Sequence, residues 1–543
     1  MNRCFARGSL LLLAILTLAY LAWLARFPAA ALIWDDAYIF WRYADHLRAG
    51  HGLAWNPGGP AAFGLTSNLY LLLVLPGRML WPTNPALGLS AASFLAGTIF
   101  VILLTILIPA RAAGSFALRL GSGALALFAL WSSREVVGDH FTSGMDTTFA
   151  MAYLALFIFA AKGFEASPTR RAAWAAGLLG GLAFLVRPDL LLYTLAVPAA
   201  LGWLAAEMET RRRARLMLGL TAGLTLLEIA GCAWYYGSPL PLSFYNKVLA
   251  RYGPLVQSLG QNAAREMLRA YLRGYWYYFA LIGAWAVLRL RGRPRHWPPM
   301  EAALLGATAI FLASYALLVQ QIMPYSARFY FPTLPAIIFL GSQGIAEIAQ
   351  RLPARKIPPL APLWQGLGMA ALGVGVAVAL LALVGQVRAA AGRDWAEAFD
   401  LDAVYAKDYS HTWFALREIS RLPDSLTLAT TEVGYPGAAN PGKTIVDLSG
   451  LNETAFAHQG FSADRLLLNY RPDFIYLPHR YYQDMKIQLL SHPVFQRDYE
   501  FYPVASLGDF RLNVALRRQS RFYSELRRIV ENNLPKNAAP ENP

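Results

Sequence analysis

The 543-residue sequence is poor in cysteine and poor in charge. It holds two cysteines, Cys4 and Cys232, which excludes the disulfide framework of a small secreted domain. Only 15% of its residues are Asp, Glu, Lys or Arg, against 56% hydrophobic, too few to clothe a soluble globule of this length. Acids are scarcer than bases, 33 against 48, and the formal net charge is +15. The bases fall in short runs between apolar segments and form no continuous basic face, so nucleic acid is not an expected partner. No convincing cleavage site follows the first apolar segment, which reads as a retained anchor. Nor is there the inverted internal symmetry that many transporters carry.

In place of a charged surface the chain offers a series of apolar stretches. Spans of roughly 17 to 25 apolar residues cross a bilayer as helices, and Lys and Arg in short loops stay on the cytoplasmic side. Together these rules predict about eleven crossings: residues 9–24, 86–109, 116–131, 145–161, 172–186, 190–206, 216–235, 276–288, 302–319, 330–348 and 366–387. The alternation puts Arg3 and Arg7 inside, with Arg111 and Arg119, Lys162 with Arg170 and Arg171, Arg211 to Arg215, Arg289 to Arg295, and Arg351 with Arg355 and Lys356. It requires residues 66–80 to lie on the membrane without crossing it. Cys4 then faces the cytoplasm and Cys232 lies in a helix, so no disulfide joins them.

The expected fold is thus an α-helical multispan membrane protein of the bacterial cytoplasmic (inner) membrane, N-terminus cytoplasmic, with a C-terminal soluble α/β domain. Residues 1–389 form the membrane part, in which 27–85 are a first outer loop with juxtamembrane helices, and 390–543 form the outer domain. Residues 425–431, 443–448 and 471–477 read as its strands, set between Gly and Pro turns, and 411–419 as a helix. The polar, Pro-rich end from 532 to 543 is expected to fray.

Two adjacent acids, Asp35 and Asp36, stand just after the first span, on its outer side. Ionised groups at the edge of an apolar body point to a water-filled cleft in which charge is used. The bland account is helix capping, with Asp35 opening a helix that runs to Arg48 and stops at Gly50. Capping explains one acid and leaves the second. Asp146, at another helix start, invites the same two accounts, with Asp139 and His140 just before it. Arg187, Lys247 and Arg328 each lie near the outer end of a span, where positive charge is usually sparse. Cations that face acids across a cavity suit a phosphate held beside a general base. For Arg265, Arg269 and Arg273 an interfacial amphipathic helix against lipid head groups is the better account.

The motifs carry a resemblance. Asp35-Asp36-Ala37-Tyr38-Ile39 with Arg42-Tyr43-Ala44, Gly50-His51-Gly52-Leu53 and Asn56-Pro57-Gly58 resembles the first outer loop of the terminal arabinofuranosyltransferases that build bacterial cell-wall arabinan, members of the GT-C glycosyltransferases. The similarity recurs in Ser143-Gly144-Met145-Asp146-Thr147, Arg187-Pro188-Asp189, Tyr235 to Pro241, Phe244-Tyr245-Asn246-Lys247 and Arg328-Phe329-Tyr330-Phe331-Pro332. Val446 to Leu451 and Arg471-Pro472-Asp473 look like the family's soluble domain. Where relatives tend to carry an acid before a Gly-x-Thr-Asn turn, this chain has Ala62-Phe63-Gly64-Leu65-Thr66-Ser67, so a third acidic metal ligand is missing there.

The resemblance implies a membrane glycosyltransferase that takes a sugar, a pentofuranose such as arabinofuranose, from a polyprenyl-phosphate donor to a cell-envelope glycan. It gives Asp35 or Asp36 the role of base, Arg187, Lys247 and Arg328 the donor phosphate, and Tyr38, Arg42, Asp146, Tyr245 and Asn246 contact with substrate. No metal site is assigned, and dependence on a divalent cation is left open. The adjacent carboxylates fit inversion and retention alike. A pilin-type protein O-glycosyltransferase with a glycoprotein product, a transporter or flippase, and a membrane regulator are the rival functions. Asp447 and Glu432 read as turn and strand-end residues of the outer domain.

Overall fold

In the computed structural model, residues 17–18, 20–21, 34–107, 116–249, 254–291, 297–322, 325–351, 418–477, 482–503 and 513–533 are described. The expected crossings 9–24 and 366–387, most of the helix 411–419, the frayed end and the boundary near 389 fall outside this set.

The segment expected as the first outer loop opens with helix α1 (Asp35–Arg48) and continues to α2 (Leu71–Leu80). At 1.5 Å per residue α2 is about 15 Å long, half of a hydrocarbon core, so it does not cross. Then follow α3 (Pro85–Ile102, prolonged by a π turn at Leu103–Leu107), α4 (Phe116–Ser132), the short α5 (Arg134–Thr142), α6 (Thr147–Ala166) and α7 (Arg170–Gly181). After a further turn at Ala183–Val186 come α8 (Leu191–Leu204), the long α9 (Met208–Tyr236), α10 (Leu242–Val248), α11 (Pro254–Gly274), α12 (Trp276–Arg291), α13 (Pro299–Leu317) and α14 (Leu334–Arg351).

Among the described residues, five helices are long and apolar enough to cross a membrane, covering Pro85–Thr105, Thr147–Ala166, Met208–Tyr236, Pro299–Leu317 and Tyr325–Ile348. Four apolar helices are shorter, at Leu71–Leu80, Ser122–Ser132, Pro188–Leu204 and Trp276–Leu290. The expected eleven are thus not confirmed among the described residues. The expected span 172–186 breaks after Gly181, where Gly180 and Gly181 leave no room for side chains against Thr221 and Leu224 of α9. Small residues let the two backbones approach, and Thr221 donates to the Gly177 carbonyl at 3.1 Å. The other side of α9 is bare: Leu226, Leu227 and Trp234 are 65, 68 and 86% exposed, a surface that only lipid could cover.

The C-terminal unit is a mixed five-stranded sheet, β1 (Thr427–Thr430), β2 (Thr444–Asp447), β3 (Phe474–Tyr476), β4 (Tyr499–Pro503) and β5 (Asn513–Arg517), in the order β2-β1-β3-β5-β4. The three strands expected from sequence form its parallel half, each shorter than expected. The antiparallel pair β4 and β5 was not expected. Between β1 and β2 lies α15 (Gly434–Ala439), and α16 (Thr454–Gln459) follows β2. An apolar core is shared by the two parts of the chain: Tyr38, Trp41 and Trp55 of the outer loop pack in one cluster with Leu428, Val433 and Ile445.

Candidate functional site

Helix α1 begins at the acid pair, but not as a capped helix. Trp34 is its N-cap, in extended conformation (φ −81, ψ 145) and without a side-chain cap bond, so Asp35 and Asp36 occupy the first turn, where the helix dipole favours negative charge. One residue of separation turns the two carboxylates to different partners. Asp35 accepts the backbone N–H groups of Gly434 and Tyr435, each at 2.8 Å, and so caps α15 of the C-terminal unit and not its own helix. The approach is close enough that a Cβ on Gly434 would stand 1.7 Å from the Asp35 carbonyl oxygen. Asp36 turns into a cavity of about 510 Å³ and accepts from Arg328 Nη2 at 2.7 Å.

The environments push the pair apart. Burial raises the Asp35 carboxyl to about 7, opposed by the Tyr435 N–H and reinforced by the neighbouring Asp36 charge. Asp36 is also buried, but the Arg328 and Lys247 cations outweigh that cost and hold its carboxyl below the ordinary carboxylate range. At neutral pH Asp36 is the ionised member.

The three expected cations share the cavity wall with Asp36 and Asp146. Their engagements differ. Arg187 is saturated by a fork on Asp189 (Nη2 to Oδ2 2.6 Å), lies 3.1 Å from the Tyr315 hydroxyl and is 3.9 Å from Asp146. Arg328 is committed to Asp36 and lies over the rings of Trp34 and Phe329. The Lys247 ammonium, at the end of α10, has no hydrogen bond or ion pair among the described residues and stands 5.5 Å from the Phe329 ring. Burial lowers its ammonium to about 8, so it is mostly charged at neutral pH and has no anion of its own. Asp146 precedes α6 without capping it through its side chain, and one of its oxygens is buried with no partner.

Arg328 leaves a turn that needs external support. Tyr325 O accepts the Arg328 N–H at 3.1 Å, and the residues between, Ser326 and Ala327, both have positive φ, at 51 and 54. Such conformations cost of order 1 kcal/mol or more for residues with a Cβ.

Four residues expected at the substrate do not line the cavity. Arg42 is fully buried and donates to the carbonyls of Trp55 (2.7 Å), Gly437 (2.7 Å), Asn440 (2.8 Å) and Lys443 (2.9 Å), which makes it a rivet between the outer loop and the C-terminal unit. Tyr38 packs edge-on against Tyr435, with ring centroids 5.5 Å apart. Asn246 donates to Gly450 O at 2.7 Å, and Tyr245 packs on His458 at 4.1 Å. All four face the C-terminal unit, a docking role that their sequence neighbourhood beside Asp36 and Lys247 disguised.

That unit brings two acids of its own. Asp447, at the carboxyl end of β2, accepts from the Ser449 hydroxyl (2.5 Å), Gly450 N (3.1 Å), and Asn452 N and Nδ2 (2.7 and 2.9 Å), and so holds its loop as expected of a turn residue. Burial raises it to about 6. Glu432 follows β1, and its carboxyl is pushed well up by burial first and then by the charges of Asp35, Asp36 and Asp447. Its carboxylate makes no hydrogen bond among the described residues. Sequence reading gave it a structural place, because nothing local shows that the carboxyl ends of β1 and β2 fold back over α1. No group of three or more His, Cys, Asp or Glu placed to hold a metal ion occurs among the described residues.

No family model matches the chain, and no curated protein matches it. Solved structures are similar at low identity. ArnT from Cupriavidus metallidurans bound to undecaprenyl phosphate aligns at 13% identity with a TM-score of 0.46, over 92% of this chain and 97% of that one. The same protein in the apo state aligns at 14% and 0.48, over 93% and 97%. The oligosaccharyltransferase of Archaeoglobus fulgidus in complex with Zn and sulfate aligns at 13% and 0.46, over 97% of this chain and 74% of that one.

Proposed function

We propose that the protein is a membrane glycosyltransferase of the GT-C type that moves a sugar from a polyprenyl phosphate to an acceptor hydroxyl. The observation that carries this reading is the mixed cavity. Its wall carries Asp36, Arg187, Lys247 and Arg328 together with the apolar Phe184, Leu191, Ile229, Phe311 and Leu318, of which Ile229 and Phe311 belong to helices long and apolar enough to span. An amphiphile with an anionic head and an apolar tail matches that lining, and a soluble anion does not use the apolar wall.

The chemistry follows from the charges. An acceptor hydroxyl donates to Asp36, attacks the anomeric carbon, and passes its proton to that carboxylate as the new C–O bond forms. The bond from the anomeric carbon to the phosphate oxygen breaks, and polyprenyl phosphate leaves. Lys247, the unpaired cation, takes the developing negative charge, with Arg187 and Arg328 behind it. Asp36 is the base in this account, and Asp35 sets its place by fastening the C-terminal unit beside it. The motifs quoted above make arabinofuranose the favoured sugar and an envelope glycan the favoured acceptor, at the outer face of the cytoplasmic membrane.

The test is transfer in reconstituted membranes from labelled polyprenyl-phosphate sugars, with the product separated into glycan and polypeptide. Label in glycan with the wild type and none with Asp36→Asn is expected. Label in polypeptide moves the acceptor to an exported protein, and full activity of Asp36→Asn removes the catalytic assignment.

A further inference from the structure

The turn that delivers Arg328 is built from residues that do not favour it. Tyr325 to Arg328 is a four-residue turn with both central residues left-handed, the arrangement of a type I′ turn, which Gly, Asn and Asp normally make. Here the central pair is Ser326 and Ala327. Among the described non-glycine residues only Arg471 shares their sign of φ. A Ser-Ala pair left alone would relax to negative φ, and residue 328 would swing with it.

Helix α5 grips the turn from outside. The Ser326 hydroxyl donates to Asp139, and the ring N–H of His140 at Nε2 donates to the Ser326 carbonyl at 3.0 Å. Two consecutive residues thus hold the hydroxyl and the carbonyl of one turn residue. His140 is itself fixed, 5.7 Å from the Trp34 ring and 4.3 Å from Phe331. Burial lowers its imidazole to about 3, so the ring carries one proton, placed on Nε2 by the carbonyl it faces. Two residues further on, Arg328 reaches Asp36 at 2.7 Å.

We propose that Asp139 and His140 are positioning residues that pin the left-handed Ser326–Ala327 turn and thereby aim Arg328 at Asp36. The proposal rests on the transfer site read above and adds what orients it. Neither residue lines the cavity, and the turn that carries Arg328 is the element both of them bond.

The test uses the full chain in membranes, with Cys4→Ser and Cys232→Ser as background. Asp36→Cys with Arg328→Cys reports how often the two positions meet, read as the rate of closure by a short thiol cross-linker. Adding Asp139→Ala is expected to slow closure on the order of 10-fold, and adding Ser326→Asn with Ala327→Gly, residues that favour the turn by themselves, to restore it. A merely structural role for Asp139 predicts no such rescue, so unchanged closure in Asp139→Ala, or slow closure that the Asn-Gly turn fails to repair, overturns the proposal. Transfer gives the second readout. Asp139→Ala should lower kcat in the otherwise native enzyme and have no further effect beside Arg328→Ala, whereas additive losses count against it. If closure behaves as stated and even the wild type transfers no sugar, the functional reading fails and the positioning stands.

Discussion

Arg328 and Asp36 are 292 positions apart in the chain and 2.7 Å apart in space. The guanidinium keeps the carboxylate ionised in a buried place, so its loss exposes the cost of burial. The proposed role of Asp36 as base needs its ionised form, which is present above its pKa and lost as pH falls through it. In Arg328→Ala that pKa rises, because of the two cations that favour the charge only Lys247 is left. The acid limb of the transfer rate should move to higher pH, and kcat at neutral pH should fall on the order of 100-fold. A pH–rate profile checks both, and an unmoved acid limb defeats the account.

Lys247 is the cation of the three with no ion pair among the described residues, and it should matter most for the donor. Lys247→Ala should raise the donor KM at least about 10-fold and leave the acceptor KM near its wild-type value. Its ammonium loses its proton near pH 8, so donor affinity should decline above that pH. Lys247→Arg should carry the decline out of the measurable range. Titration of polyprenyl-phosphate binding between pH 6 and 9 reads this, and an acceptor-only effect of Lys247→Ala contradicts it.

Asp35 makes stability depend on pH in the direction opposite to a salt-bridged acid. Its folded pKa, about 7, is raised above the usual 3.8. Between those values the unfolded chain ionises while the folded one keeps its proton, so stability from this group is full at low pH and declines as pH rises through 7. Asp447 and Glu432 are shifted the same way. Asp35→Asn, which cannot ionise, should flatten the decline measured by thermal unfolding between pH 4 and 8. An unchanged slope rules out this role.

Arg42 holds four backbone carbonyls in the buried seam, and those of Gly437 and Asn440 also accept a backbone N–H each. Arg42→Met keeps the length but removes all four charge-assisted bonds and leaves the Trp55 and Lys443 carbonyls without the guanidinium, a loss on the order of 3 kcal/mol. The C-terminal unit should come loose, visible as faster limited proteolysis between residues 430 and 445, while the membrane helices stay intact. Wild-type proteolysis would make Arg42 a passenger.

Much of the fold was legible because a bilayer imposes a coarse code. Apolar runs marked α3, α6, α9 and α13, and the stretch 66–80 was rightly kept out of the crossing set because its helix is too short. The break after Gly181 was not legible, since it depends on α9 lying close enough to forbid a side chain. The strands β1 to β3 stood out between turn residues, whereas β4 and β5 are an antiparallel pair without alternation, since Tyr499 to Tyr502 and Val514 to Leu516 are buried on both faces. At the site, charge out of place on the wrong side of a span picked out Arg187, Lys247 and Arg328. Spacing alone could not separate Asp35 from Asp36, because their partners lie about 400 and 292 positions away. Tyr38, Arg42, Tyr245 and Asn246 were credited with substrate for the same reason: the surface they bury was invisible until the C-terminal unit closed on them.

The hydrogen bond from Gly434 to Asp35 joins residues 399 positions apart, so it cannot exist while the intervening chain is still being made. At ribosomal speeds of 5–20 residues per second that interval is roughly 20 to 80 s. Throughout it the acid pair is already at the membrane surface, unclosed, and Arg42 has none of its distal carbonyls. Most of the chain is thus made before the seam over the acid pair can close, and that closure waits for the last fifth or so, from Gly434 on.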